Sequence, residues 1–393
     1  GTTMLSVFRR ARKSLGQLVV GLGALVLSGC VATGPGTTPP ANGGSVQVAL
    51  LIPSGSGQSQ DELFGANLEN AARLAMADLS GVNIDLKVYR TGGSPAQAAA
   101  LAKQAVDEGA QVILGPFYSE EANAAGVAVA NSGVNVLAFS NNAAIAGGNV
   151  FVLGQTFDTT ARRLAGYAVR NGKSKVLIVH DRNVAGEVGK AAIERGVSSA
   201  GGSVVGVTSY EFSQNGIVQA ASGIVSTAKS SGATALFLTA DTAGALPLLS
   251  QLLVDNGIDK GTTQFIGLTR WDIPPATLAL PGVQGGWFAM PDPGLQAQFR
   301  ARYEGAYGSQ PVPVAGLAYD GIAAIGALAN RATGGAPLSK GDLTQSAGFA
   351  GVSGIFRLLP NGTNERGLAV ATIRANQVVV IDAAPRSFGG AGF

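Results

Sequence analysis

Residues 111–145, QVILGPFYSEEANAAGVAVANSGVNVLAFSNNAAI, carry the pattern from which the rest of the chain can be interpreted. The apolar runs at 112–114 and 134–139 are typical of strands that are buried on both faces of a parallel sheet. Between them a helix is predicted, because Ser119 is a good N-cap and the two glutamates after it suit a helix N-terminus. Both strands end in hydroxyl and amide side chains. In an open α/β sheet that edge is where ligands bind.

The composition suits a packed α/β protein rather than a disordered one. Of the 393 residues, 46% are hydrophobic and 13% are charged, and the length allows two domains of ordinary size. The formal charge of +3 depends on four cationic residues between positions 9 and 13, without which 23 Lys and Arg face 24 Asp and Glu. We therefore infer no nucleic-acid partner from the charge. The lone cysteine, Cys30, excludes a disulfide framework within the chain and a cysteine-rich zinc site.

The N-terminal segment resembles a bacterial lipoprotein signal. A basic cluster precedes an apolar run at 15–27, which is shorter than the ~18 residues expected of a membrane-spanning helix. The run ends in the tetrapeptide LSGC at 27–30. The resemblance implies a signal peptide at 1–29, removed by cleavage, and lipidation of Cys30. A chance cysteine in an ordinary signal peptide is the alternative, and the start codon is expected at Met4.

A tether is predicted after the signal. Residues 30–45 are rich in Gly, Pro and Thr, cannot bury a core, and should form a flexible leash. Acyl chains on Cys30, at ~0.8 kcal/mol per buried CH₂, would hold the protein on a membrane. Val31 stands where inner-membrane lipoproteins of enteric bacteria carry Asp, so by that analogy the outer membrane is favoured over the inner.

The remaining chain consists of two runs of alternating strand and helix patterns, followed by a different tail. The first run begins with an apolar strand at 46–52 and the second begins near Asp158. Each run has enough units for a doubly wound sheet. Helical patterns at 295–307 and 314–330 follow, and short strand patterns between 355 and 381 predict an antiparallel meander.

The sequence carries no catalytic signature. None of the G-x-S-x-G, G-x-G-x-x-G and H-E-x-x-H patterns occurs. His180 closes a predicted strand beside Asp181 and could act as a general base. A polar residue at a strand end is the favoured interpretation, because no nucleophile or metal partner is evident. We therefore predict that the protein is not an enzyme and that it has no catalytic residue, metal or cofactor.

Five segments carry a resemblance to a known family: VALLIPSG at 48–55, GANLENAARLA at 65–75, VILGPFYS at 112–119, VLAFSNN at 136–142 and VLIVHDRNVAG at 176–186. Together they resemble the type I periplasmic binding proteins, in particular the leucine/isoleucine/valine-binding-protein group. The resemblance implies an α/β fold with two Rossmann-like lobes, each a parallel sheet flanked by helices, joined by a three-strand hinge. Lobe 1 would take residues 46–157 and 291–347, and lobe 2 would take residues 158–290 and 348–384.

The same resemblance implies ligand contacts from both lobes. Amino-acid binders of the family hold the ligand carboxylate with hydroxyls and backbone N–H groups, and the ligand ammonium with a carboxylate. The positions of this chain that match are Ser54, Tyr118, Ser119, Ser140, Asn141 and Asn142 from lobe 1, and Asp181, Asp241 and Asp272 from lobe 2.

The chain departs from the amino-acid pattern at several of these positions. Asn141 and Asn142 replace part of a hydroxyl-rich loop, and Val184 stands where an aromatic residue is usual. The tripeptide TRW at 269–271 lies near the usual acidic site, and its Trp271 could either stack on a ligand or pack in the core. The departures point to a second group with the same fold, the penicillin-binding-protein activators of the outer membrane.

Two functions are therefore predicted. The first is an extracytoplasmic solute-binding lipoprotein that binds a small polar ligand, such as an amino acid, between its lobes for an ABC permease. The alternative is an activator-like outer-membrane lipoprotein that regulates a peptidoglycan synthase by protein contact. In both cases we expect a periplasmic protein held on the membrane through a lipid anchor.

Overall fold

The computed structural model describes residues 45–329 and 335–389. The predicted signal at 1–29, the lipidation site Cys30 and almost all of the tether lie outside the described residues. Within the described ranges, no helix combines the length and the apolar character needed to cross a membrane.

Lobe 1 is built on a five-stranded parallel sheet with the strand order β2-β1-β3-β4-β5. Side chains of the interior strand β1 alternate between two layers of helices, as the period of two requires. Leu50 and Ile52 pack in one core, while Ala49 and Leu51 pack in the other. The elements in chain order are β1 (Val46–Ile52), α1 (Ser59–Asp78), β2 (Ile84–Arg90), α2 (Pro95–Asp107), β3 (Val112–Leu114), α3 (Ser119–Ala128), β4 (Asn135–Ala138) and β5 (Val150–Val152).

The second run of strands and helices forms most of lobe 2. Val176 and Ile178 pack in one core, and Leu177 and Val179 pack in the core on the other face of the same strand. Its elements are α4 (Phe157–Arg170), β6 (Lys175–Asp181), α5 (Val184–Ser199), β7 (Ser203–Tyr210), α6 (Gln214–Ser231), β8 (Ala235–Leu238), α7 (Leu246–Asp255), β9 (Gln264–Gly267) and β10 (Trp287–Met290).

The last quarter of the chain serves both lobes. Its elements are α8 (Pro293–Tyr307), α9 (Ala315–Ala329), α10 (Lys340–Leu343), β11 (Phe349–Gly351), β12 (Gly354–Leu358), β13 (Asn364–Arg366), β14 (Ala369–Arg374) and β15 (Gln377–Asp382). Helices α8 and α9 return to lobe 1, where Phe299 and Ile322 join the core beside Leu50. Strands β14 and β15 complete the seven-stranded sheet of lobe 2, whose order is β15-β14-β10-β9-β8-β6-β7.

The tail differs in one respect from the sequence-based boundary at residue 348. Strands β11, β12 and β13 form a separate antiparallel sheet, and Phe349 and Phe356 of that sheet pack into the core of lobe 1. Only β14 and β15 pair with lobe 2, where β14 lies antiparallel to β10. The chain therefore changes lobe between β13 and β14, because the apolar side chains before that point face the first core. The predicted fold class, two α/β lobes with sheets flanked by helices, is confirmed.

Three connections join the lobes and fix the position of the cleft. They run from β5 to α4, from β10 to α8 and from β13 to β14. Gly154 lies on the first connection, packed so closely that an added Cβ would sit 2.8 Å from the Cβ of Asn141. Gly115 follows β3 with φ +96°, and an added Cβ there would meet the Leu51 carbonyl at 2.2 Å. The first contact brings the residues after β4 against the hinge, and the second packs the end of β3 against β1.

Candidate functional site

A cavity of about 530 Å³ lies where the strand ends of lobe 1 meet the three inter-lobe connections. This volume falls in the range of about 300–1,000 Å³ that small-molecule sites in proteins occupy. The lining includes residues from the first two connections, the last residue of β13, after which the third connection begins, and Arg270 of lobe 2. The lining residues are Phe117, Tyr118, Ser119, Phe139, Ser140, Asn141, Gly154, Gln155, Arg270, Pro291, Gln296, Pro313, Val314, Leu317, Ser353 and Arg366.

The wall from lobe 1 is formed by the start of α3 and by the residues after β4. Ser119 is the first residue of α3 and Tyr118 occupies the N-cap, so the predicted N-cap is shifted by one residue. The hydroxyls of Ser119 and Ser140 lie 2.9 Å apart, and the Asn142 backbone N–H donates to Ser140 Oγ at 3.0 Å. A helix N-terminus presents unpaired N–H groups and a positive dipole end, which favour an anionic group.

Tyr118 is held at the edge of this wall by an acidic partner. Its hydroxyl donates a hydrogen bond to Asp61 Oδ1, and this bond, together with burial, raises the pKa of Tyr118 to about 12. The ring also packs edge-on against Phe117, with the ring centroids 4.8 Å apart. Tyr118 therefore stays protonated and fixed in place at physiological pH.

Four of the nine predicted ligand contacts line the cavity: Tyr118, Ser119, Ser140 and Asn141. Ser54 is buried under α1, where an added Cβ on Gly65 would sit 1.9 Å from its hydroxyl oxygen. Asn142 accepts a hydrogen bond from the Ala144 N–H at 3.0 Å and so caps a short 3₁₀ turn. The structure brings the first four together and leaves these two outside the lining, and ligand contact by any of them stays a prediction.

The three predicted acids of lobe 2 do not line the cavity. Asp181 is buried at the end of β6, where it accepts a hydrogen bond from the Tyr210 hydroxyl, and burial raises its pKa. Asp241 is exposed after β8. Asp272 binds Arg270 through two bonds of 2.7 Å, from Nε and from Nη2. The guanidinium of Arg270, rather than the carboxylate of Asp272, therefore lies against the cavity.

Arg366 is the lining residue that sequence reasoning missed most completely. It lies on the short strand β13 and is 5% exposed. Its Nη1 donates to Asp320 of α9 at 2.9 Å and its Nε donates to the Leu153 carbonyl at 2.9 Å. Arg366 and Asp320 are 46 positions apart, and neither belongs to a recognisable motif. Gln155, Gln296 and Ser353 were also missed, since none of them belongs to a recognisable motif: Gln155 lies on the first connection, Gln296 in the first turn of α8 and Ser353 in the turn between β11 and β12.

Known proteins share this two-lobed architecture. A family model described as "Periplasmic binding protein" matches residues 45–377. The chain belongs to this family. The family predicted from sequence is thus confirmed, and no curated protein matches the chain.

Several solved structures share the fold of this periplasmic binding protein. A protein from Rhodospirillum rubrum described as a branched-chain amino acid ABC transporter is 20% identical, with a TM-score of 0.73 over 86% of this chain and 100% of that one. A leucine-binding protein from Thermotoga maritima is also 20% identical, with a TM-score of 0.56 over 86% and 98%. A solute-binding protein from Rhodopseudomonas palustris in complex with benzoate is 19% identical, with a TM-score of 0.56 over 88% and 98%.

Trp271 and His180 of this binding protein lie away from the cavity lining. Trp271 is fully buried, and an added Cβ on Gly267 or Gly286 would meet its ring at 2.1 or 2.2 Å. Of the two interpretations of Trp271, core packing is therefore the one that holds. His180 is buried with Nδ1 3.0 Å from the backbone oxygen of Asp181. Among the residues that the structure describes, no three His, Cys, Asp or Glu side chains cluster as metal ligands.

Proposed function

We propose that this periplasmic binding protein is a solute-binding lipoprotein that holds a small carboxylic acid, an amino acid or a related compound, for an ABC transporter. The observation that carries the proposal is the cavity of about 530 Å³ at the junction of three inter-lobe connections. Two of the similar structures support the ligand class, because leucine and benzoate are both small carboxylic acids.

Ligand binding acts on the balance between open and closed arrangements of the two lobes. The lining combines many residues of lobe 1 and the hinge with Arg270 of lobe 2. A ligand that touches both sides binds the closed arrangement better and shifts the population toward it. The permease would then recognise the closed, loaded protein.

The lipid anchor and the periplasmic location complete the proposal. Cys30 would carry the acyl chains, and the tether at 30–45 would let the two lobes stand away from the membrane surface. Val31, directly after Cys30, favours the outer membrane over the inner. Mass spectrometry of the membrane-extracted protein measures the acyl mass on Cys30, and an unmodified cysteine would contradict this part of the proposal.

The cavity favours solute binding over the activator-like role. Regulation of a synthase by contact needs a surface and no lined cavity, whereas the cavity here includes two guanidinium groups and a helix N-terminus. We therefore expect the rate of a purified peptidoglycan synthase to be unchanged by saturating amounts of this protein. A stimulated rate would favour the activator-like role instead.

A thermal-shift screen and native mass spectrometry test the proposed function directly. The screen covers amino acids, keto acids and simple aliphatic and aromatic carboxylic acids, and mass spectrometry looks for a ligand that co-purifies. A ligand present at 100 times its Kd stabilises the folded state by about 2.7 kcal/mol. If no ligand co-purifies and no compound raises the unfolding temperature, the solute-binding proposal is wrong.

A further inference from the structure

The chemistry of the cavity wall restricts the ligand more sharply than the fold does. Arg366 lines the cavity while being 5% exposed, and its position is fixed from several sides. Its guanidinium lies over the Phe356 ring, 4.8 Å from the centroid. Nη1 and Nε are used by Asp320 and Leu153, but Nη2 is buried and has no hydrogen-bond partner among the described residues.

An unpaired buried donor of this kind is costly unless something else accepts its hydrogen bond. Buried polar groups in native proteins are almost always paired, and exceptions often mark functional positions. Leaving a charged donor unsatisfied costs more than leaving a neutral one. Nη2 of Arg366 has almost no accessible surface in this arrangement of the lobes, so an acceptor on a ligand reaches it only after the side chain or the lobes shift on binding.

Arg270 supplies a second guanidinium from lobe 2. Its side chain is 29% exposed, and Asp272 engages Nε and Nη2. No hydrogen bond within the described part of the chain uses its Nη1. Asp272 orients the guanidinium without lining the cavity itself, so the cavity side of the ion pair is its positive end.

No acidic residue lines the cavity, and those nearest to it are engaged by neighbouring groups, apart from one buried carboxylate oxygen of Glu121 behind the start of α3. None of the sixteen lining residues is Asp or Glu. Asp320 and Asp272 are paired with the two arginines, and Asp61 accepts hydrogen bonds from Tyr118 and Ser56. An ammonium group in the cavity would therefore meet two guanidinium groups and no carboxylate. Like charges in one partly buried site repel, which disfavours a zwitterionic ligand.

The rest of the lining is apolar. Phe117, Phe139, Val314 and Leu317 contribute aromatic and aliphatic surface, to which Pro291 and Pro313 add. Such a wall buries a hydrocarbon body, while a small number of polar groups fix the orientation of the ligand.

We propose that the ligand is an organic monocarboxylate with an apolar body and no ammonium group, whose carboxylate is bound by Arg366 and Arg270. Carboxylates accept charge-assisted bonds from guanidinium groups and can accept two at once. This inference rests on the proposed solute-binding function and names its substrate class. It also assigns to Arg270 and Arg366 a binding role that the family resemblance did not place on them.

Isothermal titration of the whole protein with two matched series of probes tests the inference. One series is 4-methylpentanoate, leucine and 4-methylpentanamide; the other is phenylacetate, phenylalanine and phenylacetamide. Within at least one series we expect the simple carboxylate to bind about tenfold or more tightly than both of its counterparts, since a tenfold change corresponds to about 1.4 kcal/mol. An amino acid that binds as tightly as its matched carboxylate, or more tightly, overturns the inference.

Variants with a matched control test the arginines. Arg270→Gln and Asp272→Asn both break the same ion pair, but only the first removes the guanidinium from the cavity. We expect Arg270→Gln to raise the Kd of the carboxylate about tenfold and to leave that of the amide unchanged, whereas Asp272→Asn, which keeps the guanidinium but loses the carboxylate that orients it, should cause a smaller loss. A carboxylate Kd that is the same in Arg270→Gln as in the parent protein, or a larger loss in Asp272→Asn than in Arg270→Gln, would overturn the role assigned to Arg270.

Arg366→Lys keeps a cation beside Asp320 but loses the forked donor, and we expect a similar tenfold loss. If this variant does not fold, the Arg270 and Asp272 pair decides the question.

The outcomes also separate the two proposals. If native mass spectrometry finds a co-purified amine or zwitterion and no simple carboxylate binds, the substrate class is wrong while solute binding stands. If nothing binds at all, both proposals fail.

Discussion

Replacing Asp320 should reveal how strongly the chain depends on one buried ion pair. The Asp320 side chain is fully buried in α9, where it accepts from Arg366 Nη1 at 2.9 Å and from the Val352 N–H at 2.8 Å. In Asp320→Ala the guanidinium of Arg366 becomes a buried cation without its counter-ion. Breaking a buried pair from one side costs about 3–5 kcal/mol, because the remaining charge is uncompensated. We expect a loss of stability of that size.

Urea unfolding followed by two probes measures this loss. Both tryptophans, Trp271 and Trp287, lie in or beside the sheet of lobe 2, so fluorescence reports on lobe 2 while far-UV circular dichroism reports on both lobes. The Asp320 pair contacts the core of lobe 1, and we expect the dichroism midpoint to fall at least as far as the fluorescence midpoint. Separate midpoints would show that the lobes no longer unfold together.

The double variant Asp320→Leu/Arg366→Met provides the control for this prediction. It removes both charges and leaves apolar side chains, and replacing a buried pair in this way is often neutral or stabilising by about 1–4 kcal/mol. We therefore expect the double variant to be more stable than Asp320→Ala. A loss below about 1 kcal/mol in Asp320→Ala, or a double variant that is as unstable as the single one, would refute the reasoning, since a broken buried pair costs about 3–5 kcal/mol.

Three further predictions follow from local contacts. Gly286→Ala places a Cβ 2.2 Å from the buried tryptophan ring and should destabilise by about 1–3 kcal/mol in thermal unfolding, whereas Gly305→Ala, in open space on α8, should not destabilise. Tyr118 should ionise with a pKa of about 12, and Asp61→Asn should bring that pKa toward 10, as ultraviolet titration or tyrosine ring NMR would show; an unchanged pKa would contradict the assigned bond. Because the pKa of Tyr118 is raised, its hydrogen bond to Asp61 contributes fully to the stability of the fold below pH 10. That contribution is lost as the pH rises toward 12. Burial acts to raise the pKa of Glu365, but hydrogen bonds from two arginines outweigh it, so the net pKa is lowered. Its stabilisation is present above pH 4.5 and is lost as the pH falls, and Glu365→Gln should flatten the acid limb of a stability–pH curve. An acid limb that is the same in both proteins would count against this role.

Much of the fold follows from local sequence patterns. The apolar run at 112–114 and the strand at 135–138 lie where periodicity and burial placed them, and helix α3 begins at Ser119. Such features depend on contacts between residues close in sequence, so the pattern of polar and apolar side chains is enough to predict them. The repeated strand–helix rhythm likewise predicted two doubly wound sheets, and the family resemblance implied that they form two lobes. The strand ends predicted Ser119, Ser140, Asn141 and Asn142 at one edge, and the first three of these line the cavity.

The remaining features depend on contacts between residues that are distant in sequence. No local pattern indicates that the chain crosses between the lobes after β13. The position of this crossing follows from the packing of Phe349 and Phe356 in the core of lobe 1. Asp181 ends a strand and Asp241 lies after one, as a ligand contact would. Neither lines the cavity, because a position at the end of a strand does not determine where the side chain points.

The cavity wall shows most clearly what the tertiary structure decided. By itself the sequence determined an α/β protein of two lobes whose strand ends carry hydroxyls and amides. Which charges face the cavity depends on pairs such as Arg366 with Asp320, 46 positions apart, and on Asp272 turning the Arg270 guanidinium toward the lining. A buried ion pair is stable only where packing brings both partners together and excludes water. The positive character of the site is therefore a property of the folded chain that its sequence patterns do not reveal.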